Sequence, residues 1–115
     1  MELIDTIIQS LQDKKGLDIA VVDLSKIGDT ICQAFVIATG GSPAQVQTLA
    51  QNVGEEVRAK LGQSPVAVDG MRNAQWVAID YGEVMVHVML PDAREYYDIE
   101  NLWEDADLTL LSNDY

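Results

Sequence analysis

The sequence predicts a mixed α/β, or α+β, domain in which helices pack on a five-stranded sheet. Apolar residues recur at helical spacing in some segments and run continuously or alternate in others, in the order helix, two strands, helix, three strands, helix. The 115 residues are 48% hydrophobic, enough for one two-layer core and too few for a separate catalytic module beside a regulatory one. Finally, QWVAIDYGEVMVHVM (75–89) reads as a hairpin with two chemically different faces that runs straight into REYYDIENLW.

Taken in order, Leu3, Ile4, Ile7, Ile8 and Leu11 share one face of a helix over residues 2–13, with Gly16 as its stop. LDIAVVDL (17–24) is a short strand. A linker from Ser25 to Thr30 leads to AFVIAT (34–39), a continuous apolar strand of the kind covered on both faces. At Gly40-Gly41-Ser42-Pro43-Ala44-Gln45, Ser42 caps a second helix, Pro43 takes its first position and Gln45 completes a capping box. Val46, Leu49, Ala50, Val53, Val57 and Leu61 make one apolar stripe, and Gly62 closes that helix. PVAVD (65–69) is a third strand and Gly70 to Ala74 a loop.

In the hairpin, a Tyr81-Gly82 two-residue loop sets Asp80 opposite Glu83, Ile79 opposite Val84, Ala78 opposite Met85, Val77 opposite Val86 and Trp76 opposite His87. One face is then branched aliphatic. The other carries Trp76, Ala78, Met85, His87 and Met89 with acids at its turn end, and is either capped by the same chain or kept for a partner. Pro91-Asp92 opens a short helix bearing Tyr96 and Tyr97; Ile99, Leu102 and Trp103 pack back, while residues 107–115 form an acidic, solvated tail.

Nineteen acids against seven bases give a formal charge of −12, and eight of the acids lie from Asp92 onward with only Arg94 against them. Nucleic-acid binders neutralise phosphates with Lys and Arg, so direct RNA or DNA binding is not expected. A basic protein surface is the electrostatic complement, with solubility as the plainer reading of the same charge. Residues 1–15 lack a basic leader before an apolar stretch, and no segment reaches the roughly 20 apolar residues of a membrane span, so no membrane association and a cytoplasmic location are expected. Cys32 is the sole cysteine and His87 the sole histidine, which leaves nothing to build a disulfide, a cysteine-based metal site or a multi-histidine centre.

Gly40-Gly41-Ser42 at a strand-to-helix junction could cradle an anion on its free N–H groups, but a tight turn and a cap explain it equally, and no Lys follows as in a Walker loop. Nucleotidyltransferase domains also begin with Gly-Ser after a strand, yet they need closely spaced carboxylates to hold divalent ions. The only Asp-x-Asp here is Asp105-Ala106-Asp107, in the tail. His87 beside Trp76 reads as a packed, hydrogen-bonded side chain unless that face is open, and Cys32 as a small apolar filler.

FVIATGGS (35–42), WVAIDYGEVMVHVM (76–89) and REYYDIENLWEDA (94–106) together resemble the ribosomal silencing factor, or Iojap-like, family over residues 1–106. The chain departs from the family's habit at Gln33-Ala34, where Asp-Tyr is common, at Ala44-Gln45, where Arg-His is common, and at Glu83, where Asp is more usual. The resemblance implies a nucleotidyltransferase-like fold without the catalytic carboxylates, and a translation repressor rather than an enzyme. It implies binding to the large ribosomal subunit through ribosomal protein fourteen, where the factor blocks joining of the small subunit, above all when nutrients are scarce.

The expected docking face is Trp76, Asp80, Tyr81, Glu83, Met85, His87 and Met89, joined by Tyr97, Asp98 and Glu100: rings and methionines for desolvated contact, carboxylates for Lys or Arg of the partner. No cofactor is expected. The rival reading is a small nucleotidyl- or phosphotransferase using Gly41-Ser42. A third has the hairpin face closing a homodimer of the free protein and exchanging that contact for the ribosome.

Overall fold

In the computed structural model, which describes residues 1–28 and 32–113, the elements are α1 (Glu2–Asp13), β1 (Leu17–Asp23), β2 (Ala34–Thr39), α2 (Pro43–Leu61), β3 (Ala67–Asp69), β4 (Trp76–Asp80), β5 (Val84–Met89), α3 (Pro91–Tyr97), a single 3₁₀ turn (Ile99–Asn101) and β6 (Asp107–Leu110). The strands form one mixed sheet in the order β3-β4-β5-β2-β1-β6. Among the described strands only β2 and β5 pair in parallel, Ala34 beside Val84 through Thr39 beside Met89. The expected α+β architecture stands, with six strands instead of five: residues 107–110, expected to be solvated tail, pair with β1. All four β6 side chains are exposed, so the alternation of Leu108 and Leu110 with Asp107 and Thr109 marks no buried face, and the strand forms through its ladder with β1. The last part of the expected linker, Asp29 and Thr30, and the end of the expected tail, Asp114 and Tyr115, lie outside the described residues.

The helices α1 and α2 cover one face of the sheet. Leu3, Ile7 and Leu11 of α1 and Val46, Leu49, Val53 and Val57 of α2 pack on Ile19, Val36, Ala38, Val77, Ile79, Val84, Val86 and Val88. The two helices are also tied by a buried polar step, in which Asn52 Nδ2 donates to the Ser10 carbonyl at 2.8 Å. Every β2 residue is buried, as expected for a strand covered on both sides. The second layer is thinner: Ala20, Val22, Leu24, Phe35, Ile37 and Met89 are roofed by Ile99, with Ala93, Trp103 and Ala106 packed around them. Leu102, expected to pack back, is instead 61% exposed.

The caps show why these segments stop where they do. Ser42 Oγ accepts from the Gln45 N–H at 3.1 Å, while Gln45 Oε1 reaches one residue past the usual box to the Gly41 N–H at 2.7 Å. Gly62 closes α2 in the left-handed conformation, φ 64°. At the end of α1 that conformation falls on Lys15, φ 60°, rather than on Gly16, whose N–H bonds the Leu11 carbonyl at 2.8 Å. A Cβ on Gly16 would lie 3.1 Å from that carbonyl oxygen, so close approach is what the glycine provides.

Candidate docking surface

The hairpin register differs from the expectation by two residues. Asp80 pairs with Met85, Ile79 with Val86, Ala78 with His87, Val77 with Val88 and Trp76 with Met89. The loop is Gly82-Glu83, closed by the Tyr81 N–H donating to the Val84 carbonyl at 2.9 Å. Gly82 takes φ 86° and Glu83 does not turn positive, which is the backbone of a two-residue loop with glycine first. Asp80 Oδ1 accepts from the Gly82 N–H at 2.7 Å and fixes the start of the loop. A shift of two preserves which side chains share a face, because the strand period is two. The expected division therefore survives: Trp76, Ala78, Asp80, Met85, His87 and Met89 lie on one side, Val77, Ile79, Val84, Val86 and Val88 on the other.

That first side is half covered, and three expected docking residues are buried. Met89 is 0% exposed, clustered with Ile99 of the segment after β5, and His87 is 4% exposed, against the rings of Phe35 and Trp76. Tyr81 is 4% exposed and belongs to the helix-covered core, because it lies on the parity of Val77 and Ile79. What remains open is the β4 side and the turn end: Trp76, Ala78, Asp80 and Met85 are half-buried, Gly82 and Glu83 exposed.

A run of rings links this open part to the core. Phe35 meets His87 edge-on at 4.7 Å, and the Trp76 indole Nε1 donates to His87 Nδ1 at 3.0 Å. The Trp76 ring in turn lies 4.8 Å from Tyr97, and Tyr97 stands T-shaped against Tyr96 at 4.9 Å. Because Nδ1 accepts, the imidazole proton sits on Nε2, which is buried without a hydrogen-bond partner among the described residues. Burial holds the His87 pKa down at about 4, so the ring is neutral at physiological pH and the indole has a permanent acceptor.

The covering segment is anchored by a charge pair that sequence reading missed. Arg94 grips Glu100 bidentately, Nε to Oε1 at 3.0 Å and Nη2 to Oε2 at 2.9 Å, and Nη1 donates to Thr39 Oγ1 at 2.9 Å at the end of β2. Glu100 is thus occupied within the fold rather than free for a partner. Asp98, the left-handed cap of α3 at φ 46°, is exposed and accepts from Asn101 Nδ2 at 2.8 Å. The signal for the Arg94 anchor was its isolation as the one base among eight acids. Tyr96, 80% exposed beside Tyr97 at 53%, also belongs to this surface.

Gly40-Gly41-Ser42 carries no comparable features. The Gly40 N–H bonds the Met89 carbonyl at 3.0 Å and the Gly41 N–H bonds Gln45, while a Cβ on Gly40 would meet Val46 Cγ2 at 2.8 Å. Thr39 stands beside Leu17 at this end of the sheet; Asp107 pairs with Asp23, and Asp80 with Met85, at the other end. No group of three or more metal-ligating side chains suited to an ion occurs among the described residues, and no described helix is long and apolar enough to cross a membrane.

Fold and surface together define a small mixed-sheet domain with one half-roofed, acidic, aromatic face. The family model described as "Ribosomal silencing factor during starvation" matches residues 1–114. The ribosomal silencing factor RsfS of Chromobacterium violaceum is 44% identical over 96 residues, covering 84% of this chain and 77% of that protein. Among solved structures, an X-ray structure of a Chromobacterium violaceum protein superposes with TM-score 0.84 at 42% identity, covering 90% of this chain and 84% of that one. A Bacillus halodurans crystal structure gives TM-score 0.76 at 33% identity, covering 89% and 93%. The chain belongs to the ribosomal silencing factor family.

Proposed function

We propose that this protein represses translation by binding the large ribosomal subunit through ribosomal protein fourteen and standing where the small subunit would join, above all under nutrient limitation. The reading is supported by family membership and by relatives named ribosomal silencing factor. The observation that carries it is the Trp76–Tyr97 pair, rings 4.8 Å apart, with Tyr97 exposed and Trp76 half-buried. Asp80 shares the Trp76 side of the sheet and Glu83 is exposed at its turn end; Asp98 is exposed after α3, at the Thr39 end of the sheet, and adds charge there. Aromatic anchors bounded by charge are what a protein interface uses for affinity, and carboxylates favour a basic partner over nucleic acid.

Contact residues on this reading are Trp76, Asp80, Glu83, Met85, Tyr97 and Asp98. His87, Met89, Tyr81 and Glu100 act from beneath, by holding the surface in shape. No chemistry is needed: a body of 35 × 33 × 28 Å seated on the joining face excludes the other subunit by volume. The working location is the cytoplasm, and any dimer of the free protein would use the same face and give it up on the ribosome.

Cosedimentation with isolated large subunits tests the reading. Trp76→Ala should weaken binding by at least ~1 kcal/mol, about fivefold, while the domain stays folded. Unchanged cosedimentation of the folded variant would remove Trp76 as an anchor.

A further inference from the structure

Beside the Trp76–Tyr97 pair the surface opens into a slot of about 420 Å³, lined by Gln75, Leu90, Asp92, Ala93, Tyr96 and Tyr97. Its layout is graded. Among its lining residues Leu90 and Ala93 are apolar and half-buried, Tyr96 and Tyr97 are exposed rings, and Asp92 is an exposed carboxylate. Tyr96 and Tyr97 stand at 82° to each other, so an incoming group meets the face of one ring beside the edge of the other. The nearest base in sequence, Arg94, is turned inward onto Glu100 and Thr39 and leaves the Asp92 carboxylate uncompensated by it.

Half-buried apolar residues, exposed rings and an exposed acid lining one slot match a long side chain whose stem is aliphatic and whose tip is a delocalised cation. A purely apolar guest would leave Asp92 unused, and a phosphate would be repelled by it. An ammonium would reach the carboxylate but could not lie flat on the ring, whereas a guanidinium does both. We propose that this slot receives an arginine side chain of the basic protein on which the factor docks; the identity of that partner rests on the function proposed above, the chemistry of the slot does not.

Two measurements separate those claims. The slot is probed directly by titrating the intact protein with N-acetyl-arginine amide and following backbone amide shifts at Gln75, Ala93, Tyr96 and Tyr97. A lone side chain binds weakly, on the order of 10 mM, so saturable shifts in that range are expected, weakened severalfold by Asp92→Asn and absent with N-acetyl-leucine amide. No saturable shift with the arginine amide, or an equal response to the leucine amide, would overturn the assignment whatever the protein does on ribosomes. In the second measurement, Asp92→Asn and Tyr96→Leu should each lower large-subunit binding severalfold. If wild type binds in a Trp76-dependent way and both variants match it, the slot is not where the partner's arginine goes; if wild type itself fails to bind, the ribosomal reading falls and the amide titration still decides the slot.

Discussion

Trp76 and His87 are joined by a hydrogen bond of 3.0 Å, indole Nε1 to imidazole Nδ1, although their backbones are not register partners. The bond fixes an open indole to a buried ring, and it exists only while His87 is neutral.

A pH dependence follows from that requirement. The folded-state pKa is lowered from 6.5 to about 4, so between those values the unfolded chain binds the extra proton and the native chain does not. Stability from this group is therefore present above pH ~6.5 and lost as pH falls towards ~4, by on the order of 3 kcal/mol. His87→Gln removes the titration, so the stability gap between wild type and variant should shrink over that window. Urea unfolding of both proteins across the window checks it, and a gap independent of pH would refute it.

Gly70 and Trp76 are bound by space. A Cβ on Gly70 would sit 2.1 Å from the Trp76 carbonyl oxygen, and the glycine already holds φ 94°. Gly82 has a similar φ of 86° but nothing within 4 Å of where a Cβ would stand. Gly70→Ala should cost at least ~2 kcal/mol and Gly82→Ala only about 1 kcal/mol, the strain without the clash. Denaturation midpoints at a common slope give both numbers.

Arg94 and Glu100 anchor the segment whose Ile99 packs in the layer of Met89. Their side chains are 10% and 15% exposed, so losing one partner strands the other in a poorly solvated place. Glu100→Gln should destabilise by about 3 kcal/mol, and hydrogen exchange should speed up first in α3 and the following 3₁₀ turn. Exchange that accelerates uniformly, or not at all, would mean the pair does not anchor this segment.

Periodicity and capping chemistry made most of the fold legible. The stripe from Val46 to Leu61, the Ser42 cap and the Gly62 stop place α2 within a residue, since each signal is local. The face division of the hairpin was legible because alternation is also local, but its register was not. That choice rests on whether Gly82 stands first or second in the loop, and Glu83 is further held by its carbonyl accepting from the Gln33 N–H at 2.7 Å, a contact between segments far apart in sequence. The burial of Met89 and His87 was equally out of reach, because Met89 clusters with Ile99, beyond a segment that Arg94 ties to Thr39, and His87 lies against Phe35 of another strand. Of the expected docking residues, Glu83, Tyr97 and Asp98 are exposed and Trp76, Asp80 and Met85 half-buried, while Tyr81 has the parity of Val77 and Ile79 and is buried in the helix-covered core.

The most direct test of occlusion is a subunit-joining assay: large subunits preincubated with the protein, small subunits added, and the joined fraction read on a density gradient at low and moderate salt. Wild type should suppress joining in proportion to its occupancy of the large subunit, more strongly at low salt because exposed charges are screened beyond roughly 8 Å at physiological ionic strength. Trp76→Ala should suppress it less at equal concentration. Full joining with large subunits demonstrably saturated by the wild-type protein would contradict the proposal that it acts by standing in the way.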